Sequence, residues 1–294
     1  MKILLVATVQ SHICQFHRPL VNMLHEHGCE VHVAARNNLA EKNGLKLDFV
    51  DAVFDIPFER SPFSPQNLTA YRQLKQIIDE GNYNVVHTNT SVGGIVGRLA
   101  ARKARKNGCQ VFYTAHGFHF FQGGSRKNWL IYYPIEKFMC RYTDELITIT
   151  EEDFQLAQDR FRVSISHIHG IGANTSKYAT ISSAECLTLR SELGFTPEQK
   201  LIICTGELNA NKNQITAIRA MVDVIKKVPE AMLLLAGNGA THDDLQSAVS
   251  ELGLSEHVEL LGYHTDLEKY VEISDLVLSC SKREGLPLNI VEGM

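Results

Sequence analysis

Residues 201–214 read LIICTGELNANKNQ, a short apolar run that stops at a glycine, crosses a polar loop and reaches Lys212 where helical spacing resumes. That order is a buried strand turning directly into a helix. It recurs at 233–245 as LLLAGNGATHDDL, with Gly237 and Gly239 in the turn. Beyond these two units come the strands HVELLG (257–262) and DLVLSC (275–280), with helices expected over 184–193, 213–227, 241–252 and from about Pro287. The first half alternates in the same way. KILLVAT, EVHVAA, NVVHTN, QVFYTA, ELITIT and SISHIH read as strands between helical stretches at 16–27, 66–80, 92–107, 129–142 and 150–160. Such alternation predicts parallel sheets covered by helices on both faces. The polar segment ANTSKYATISSAE interrupts it. The expected fold is therefore α/β: two Rossmann-like doubly wound domains at 1–172 and 183–294, joined by a linker at 173–182. The second domain reads as incomplete, since a closing strand and helices are expected beyond Met294. Gly28 and Gly81 sit where helices should end, and TEED (150–153) reads as a capping box.

With 294 residues and 44% hydrophobic content, the chain can bury two medium cores. Lys and Arg number 29 against 33 Asp and Glu, a formal charge of -4, which gives no reason to expect nucleic acid as a partner. Any anion site must be local. Apolar runs such as AMLLLAG are too short to span a bilayer. MKILLVATV lacks a small-residue cleavage site and reads as a first strand rather than a signal peptide. Seven scattered cysteines with no CxxC spacing fit a reducing cytoplasm, with thiols serving as small core residues.

The sequence has no GxxxxGK[ST], no glycine in the first strand-to-helix turn and no Asp-x-Asp. These gaps argue against a P-loop, a dinucleotide cofactor and the usual metal chelate for a sugar diphosphate. No metal or cofactor is expected. A phosphate would instead meet backbone N–H groups, helix N-termini and basic side chains. Gly206, Asn209 and Lys212 in one turn and Gly237 and Gly239 in the next offer such groups, although either turn alone is simply a turn. At 281–294, SKREGLPLNIVEGM places Glu284 and Glu292 around Gly285 and Pro287. A turn there leads into a helix, with amides at 285–288 open to an anion and two carboxylates suited to hydroxyls. Read alone, the pair is a helix cap and a solvated glutamate.

The combination resembles the donor domain of retaining glycosyltransferases of family 4, which have the GT-B fold. The likeness rests on GELNANKNQ, LLLAGNGATHDDL and the run from Val258 to Met294, whose Glu284 and Glu292 match the family's E-x7-E signature. VATVQSHICQFHRP, VGGIVGRLAARKAR, YTAHGFHFFQGG and NWLIYYPIEKF resemble a subgroup that makes bacterial capsule, exopolysaccharide and lipid-linked glycans. By that resemblance Glu284 holds donor-sugar hydroxyls, Glu292 the ribose, and Lys212 the diphosphate. Gly206, Asn209, Gly237, Gly239, Gly285 and Leu286 complete the donor side. His116 faces the sugar across an interdomain cleft, while Ser11, His12, Gly93 and Gly94 lie on the acceptor side. Two departures stand out: Glu207 where many relatives have Arg, and HGIGANTSK (169–177) where relatives have Pro-Gly and Asp.

The implied reaction moves a hexosyl unit, or an N-acetylhexosaminyl unit, from a nucleotide sugar to a lipid-linked glycan or polysaccharide. The donor is expected to be UDP-linked, the anomer retained and no metal needed. The rival readings are a non-catalytic truncated binding protein, a subunit completed by another chain, and a nucleotide-sugar epimerase. HEHGCEVH (25–32) invites a zinc site, but its side chains should diverge on a helix and a strand. His116 and His119 form an HxxH without further ligands nearby in the sequence, favouring a cleft histidine. RLAARKARK (98–106) reads as a solvated basic face. The mixture of basic and aromatic residues in GGSRKNWLIYYPIEKFMCRY (123–142) suits peripheral contact with the cytoplasmic face of a membrane, most of its aromatics being core.

Overall fold

The first strand, β1 (Lys2–Val9), lies in the interior of its sheet, paired in parallel with β2 (Glu30–Arg36) on one side and β4 (Val85–Asn89) on the other. The computed structural model describes residues 1–41, 45–172, 178, 181–285 and 287–294, and the chain divides into two units, Met1–Ile171 and Gly172–Met294. In the first unit β3 (Ala52–Asp55), β5 (Gln110–Ala115), β6 (Glu145–Thr148) and β7 (Ser164–His167) complete a seven-stranded sheet of order β3-β2-β1-β4-β5-β6-β7. Every neighbouring pair is parallel, as the expected crossovers require. The winding reverses between β1 and β4, so the crevice at their carboxyl ends is the natural ligand position.

The helices are α1 (Gln10–Phe16), α2 (Arg18–Glu26), α3 (Gln66–Gly81), α4 (Ser91–Ala100), α5 (Arg102–Lys106), α6 (Arg126–Met139) and α7 (Glu151–Arg160). One face of β1, through Leu4 and Val6, packs with Leu74 and Ile78 of α3 and Val92 and Val96 of α4. The other face, Ile3, Leu5 and Ala7, packs with Ile13 and Val21. Burial on both faces is why β1 is an unbroken apolar run. Each of the buried Leu, Ile and Val side chains contributes about 1.5–3 kcal/mol of transfer energy.

Local signals hold with corrections. The helix expected at 16–27 forms as α2, while α1, which ends at Phe16, is a helix the periodicity did not predict; Pro19 in the first turn of α2 separates the two at His17. Gly28 ends α2 in the left-handed region, φ +69. Gly81 does not play that part; Asn82 does, at φ 48, while a Cβ on Gly81 would collide with the Tyr83 ring. Half of the capping box at TEED forms. Thr150 accepts from the Asp153 amide, and the Asp153 carboxylate instead accepts from the Phe118 amide. Arg98 departs from the solvated face expected of 98–106: it lies on the inward side of α4 and is 1% exposed.

The second unit holds four parallel strands, β8 (Lys200–Thr205), β9 (Ala231–Ala236), β10 (Val258–Gly262) and β11 (Leu276–Val277), in the order β10-β9-β8-β11. Its helices are α8 (Ser183–Glu192), α9 (Gln214–Val224), α10 (His242–Glu251), α11 (Leu267–Glu272) and α12 (Leu288–Glu292). α8 starts at a full capping box between Ser182 and Glu185. Ile218, Met221, Leu233, Leu235, Leu245 and Val249 fill one core face, and Leu201, Ile203, Leu234, Tyr270 and Ile273 the other. The winding reverses at β8 and β11, which brings the loops after these two strands side by side. Of the linker expected at 173–182, residues 173–177, 179 and 180 lie outside the described residues.

Candidate functional site

In the second unit, the loop after β8 and the loop after β11 are laced together. The Asn209 side chain accepts from the amides of Asn211 and Lys212 at 3.0 and 2.9 Å, closing the turn before α9. The Lys282 amide donates to the Asn211 carbonyl at 2.8 Å, and Asn211 Nδ2 donates to the Arg283 carbonyl at 2.9 Å. Asn213 sits in the left-handed region and sends its Nδ2 to the Cys280 carbonyl. On this frame Lys212 Nζ reaches Glu284 Oε1 at 2.5 Å, both side chains about three-quarters buried. The structure thus brings the predicted cation and the first predicted carboxylate into one ion pair at the switch point of the sheet.

Beneath the pair the backbones nearly touch. Gly206 (φ +137) faces the aliphatic stem of Lys212. A Cβ on Gly237 (φ +149) would fall on the Gly206 carbonyl, and one on Gly239 would fall on the Leu208 backbone. These glycines let two strand-end turns stack against each other, a requirement independent of any ligand. Gly237→Ala is expected to cost about 1–3 kcal/mol from this overlap, beyond the strain of its φ. Gly28→Ala, where nothing lies within 4 Å, carries only the conformational cost. Urea denaturation of both variants measures the difference.

Glu292 lies on α12, and its carboxylate accepts from the hydroxyl of Tyr178; burial first, then this carboxylate, push the Tyr178 hydroxyl well above the ordinary phenol range. Gly285 is half-buried in the loop before α12, and Leu286 lies outside the described residues. Asn289 Nδ2 donates to the Thr205 carbonyl, tying α12 to the end of β8.

In the first unit, four histidines gather at the carboxyl end of β1, β4 and β5. His12 comes from α1, His17 from the break before α2, His87 from β4, and His116 follows β5. Asn89 organises them. Its Oδ1 accepts from His17 Nε2 at 3.1 Å and from His116 Nε2 at 3.2 Å. Because that oxygen only accepts, both rings carry their proton on Nε2, which leaves His116 Nδ1 as an acceptor. His12 Nε2 lies 3.3 Å from His116 Nε2. Burial, with neighbouring imidazoles adding to it, drives His116 down to about 4 and His87 to about 3 and lowers His12, while burial alone, against its hydrogen bonds, lowers His17. The cluster is uncharged at neutral pH, and His116 can exchange hydrogen bonds with hydroxyls without carrying a charge.

The other residues expected on the acceptor side have structural partners. Ser11 is buried and exchanges two hydrogen bonds with Asn38. Gly93 lets α4 approach the Ala7–Thr8 backbone, and a Cβ on Gly94 would strike the Tyr113 ring. His119 packs against Tyr132, away from the HxxH pairing. His25, His27 and His32 turn to Asp51, to the Met23 carbonyl, and to Tyr83 and Glu30. Sequence reasoning missed His17, His87 and Asn89, and also the further ligand-capable groups around His116. The one signal for His17 was its place in SHICQFHRP, just before the proline that breaks the helix.

Two parallel α/β units in series, with an ion pair over stacked glycine turns at the switch point of the second, make this a GT-B protein. A crystal structure of Anabaena HepE in complex with UDP and glucose shares that fold, with a TM-score of 0.76 at 21% identity over 100% of this chain and 78% of that one. The chain belongs to the glycosyltransferases: residues 2–150 match the family described as Glycosyl transferase 4-like, and residues 187–294 match Glycosyl transferases group 1. It is 45% identical to the putative glycosyltransferase EpsD of Bacillus subtilis, over 100% of this chain and 76% of that protein. It is 27% identical to the UDP-Gal:alpha-D-GlcNAc-diphosphoundecaprenol alpha-1,3-galactosyltransferase of Escherichia coli, over 87% of this chain and 68% of that protein.

Proposed function

We propose that this glycosyltransferase moves a hexosyl unit from a UDP-sugar to a hydroxyl of a lipid-linked glycan, with retention and without a metal ion. The observation that carries the reading is Lys212 held by Glu284 over Gly206, where a diphosphate would meet both the ammonium group and open backbone. The names of the Escherichia coli relative and of the HepE complex support a UDP donor, and the former supports a lipid-diphosphate acceptor.

In the reaction the bond between the anomeric carbon and the diphosphate oxygen breaks, and the acceptor oxygen bonds to that carbon. Charge builds on the departing phosphate, and Lys212 offsets it. Before the donor binds, Lys212 and Glu284 neutralise each other. Afterwards the phosphate takes the ammonium group and the sugar hydroxyls take the carboxylate, so neither charge is left without a partner. The acceptor proton passes to the departing phosphate oxygen, and neutral His116 hydrogen-bonds a sugar hydroxyl through Nδ1. Glu292 turns from Tyr178 to the ribose.

Among the described residues no helix is long and apolar enough to cross a membrane. On α6, however, Arg126, Lys127, Leu130, Lys137 and Phe138 are exposed, and Arg141 follows with its guanidinium over Phe138. Leu130 at 78% and Phe138 at 48% exposure are apolar groups set among cations, a surface suited to an anionic leaflet on the cytoplasmic side.

The test is a panel of labelled UDP-sugars offered with a polyprenyl-diphosphate-linked acceptor in phosphatidylglycerol vesicles, with EDTA present. Transfer that needs the acceptor and gives a product of unchanged anomeric configuration is the expected result, with the enzyme sedimenting with the vesicles. An inverted anomer, or activity only on adding a divalent ion, would overturn the mechanism. Turnover of the sugar without acceptor would make it an epimerase.

A further inference from the structure

The histidine cluster has a geometry that hydrogen bonding to substrate does not require. Ligand nitrogens of His12, His17 and His116 all lie within 4.8 Å of one another. His12 Nε2 and His116 Nε2 are 3.3 Å apart, and Asn89 Oδ1 stands 3.1 Å from His17 Nε2 and 3.2 Å from His116 Nε2. Four-coordinate zinc with metal–nitrogen distances of about 2.0–2.1 Å sets its ligands about 3.3–3.4 Å apart, the edge of the tetrahedron. Three edges of that tetrahedron are thus nearly in place before any ion arrives. The donor set, three imidazoles and a carbonyl-type oxygen, suits zinc, nickel and copper rather than magnesium or calcium.

We propose that His12, His17 and His116, with Asn89 Oδ1 as the fourth ligand, form an inhibitory site for a late first-row divalent ion, zinc fitting best. The inhibition, though not the ion site, rests on the reading of His116 as a group that meets the donor sugar. His17 and His116, whose protons sit on Nε2 facing Asn89, shift them to Nδ1 when Nε2 ligates. An ion there occupies His116 and adds two positive charges beside the acceptor side. The transferase is thereby switched off by the ion, because ligation at His116 Nε2 turns Nδ1 from an acceptor into a donor and fixes the ring against the sugar hydroxyl it would meet.

The test pairs binding with activity. Zinc chloride is titrated calorimetrically into the full chain, and cobalt is followed through the visible bands of its tetrahedral complexes. Both are repeated with His17→Asn, and with His17→Cys, whose thiolate can still ligate and which separates lost ligation from lost folding. One ion per chain is expected. His17→Asn should weaken binding about 10–100-fold or more, at least the loss that follows removal of a supporting shell, while His17→Cys keeps it. Zinc should inhibit sugar transfer, with EDTA restoring it and His17→Asn resisting the inhibition. No binding at about 0.1 mM ion, or equal binding by wild type and folded His17→Asn, overturns the ion site. Binding without inhibition of an active enzyme overturns the regulatory role. Site-specific binding in a chain that turns over no donor under any condition keeps the ion site and sinks the transferase reading instead.

Discussion

Lys212→Ala is expected to lower kcat for sugar transfer by about 10²–10³-fold, with a much smaller change in KM. In the proposed reaction the ammonium group matters most when the phosphate departs, so its loss would fall chiefly on the transition state. The variant also leaves Glu284 without its 2.5 Å partner, at the place where the donor diphosphate would bind. Two anionic groups then face each other, and part of the loss is repulsion rather than missing attraction. Adding Glu284→Gln removes that repulsion, so the double variant should lose less than the product of the two single losses. Steady-state kinetics of the three variants decide it. A Lys212→Ala enzyme within threefold of wild type would mean that the diphosphate lies elsewhere.

The second large effect is on stability. Arg98 Nη2 donates to Glu136 Oε2 at 2.7 Å, and Arg98 Nε donates to the Gly94 carbonyl at 2.9 Å. The guanidinium stacks 3.8 Å over the Tyr113 ring, whose hydroxyl reaches the other carboxylate oxygen at 3.4 Å. Glu136 and Arg98 are both buried, so Glu136→Ala leaves a cation in the core with one polar partner and a ring. The expected cost is about 3–5 kcal/mol, read as a fall in the urea midpoint at unchanged slope. Replacing both residues with apolar ones of similar volume, Arg98→Met with Glu136→Leu, should recover most of it. If Glu136→Ala alone cost under about 1 kcal/mol, water would have to reach the guanidinium.

These two ion pairs also mark how far the sequence could be read. Lys212 was legible as a cation in a glycine turn after a strand, which the winding rule places at a known edge of the sheet. Glu284 read alone as a helix cap and gained its role only through the resemblance to the E-x7-E signature. Arg98 was misread because charge runs are normally solvated. Its spacing from Gly94 and Ala101, four and three residues away, is the inward stripe of α4, so the helical period carried the information that composition hid. The histidine cluster was not legible as a cluster: His12 and His116 were named singly, by resemblance, and His17 and His87 were not named. Its members come from α1, the α1–α2 break, β4 and the turn after β5, and only the strand order β1-β4-β5 makes them neighbours. No local pattern encodes that order. The short β3 and α11 escaped for the plainer reason that four and six residues give little periodicity to detect.

The interior position of β1 bears on how the chain is made. Ile3 pairs with Val31 on one side and with Val85 on the other. β1 therefore cannot be enclosed on both sides until β4 has been synthesised. During that interval a nearly all-apolar segment stays open to solvent and to other nascent chains. The interval between the synthesis of β1 and that of β4 is thus a period of aggregation hazard, during which a holdase at the tunnel exit would protect β1.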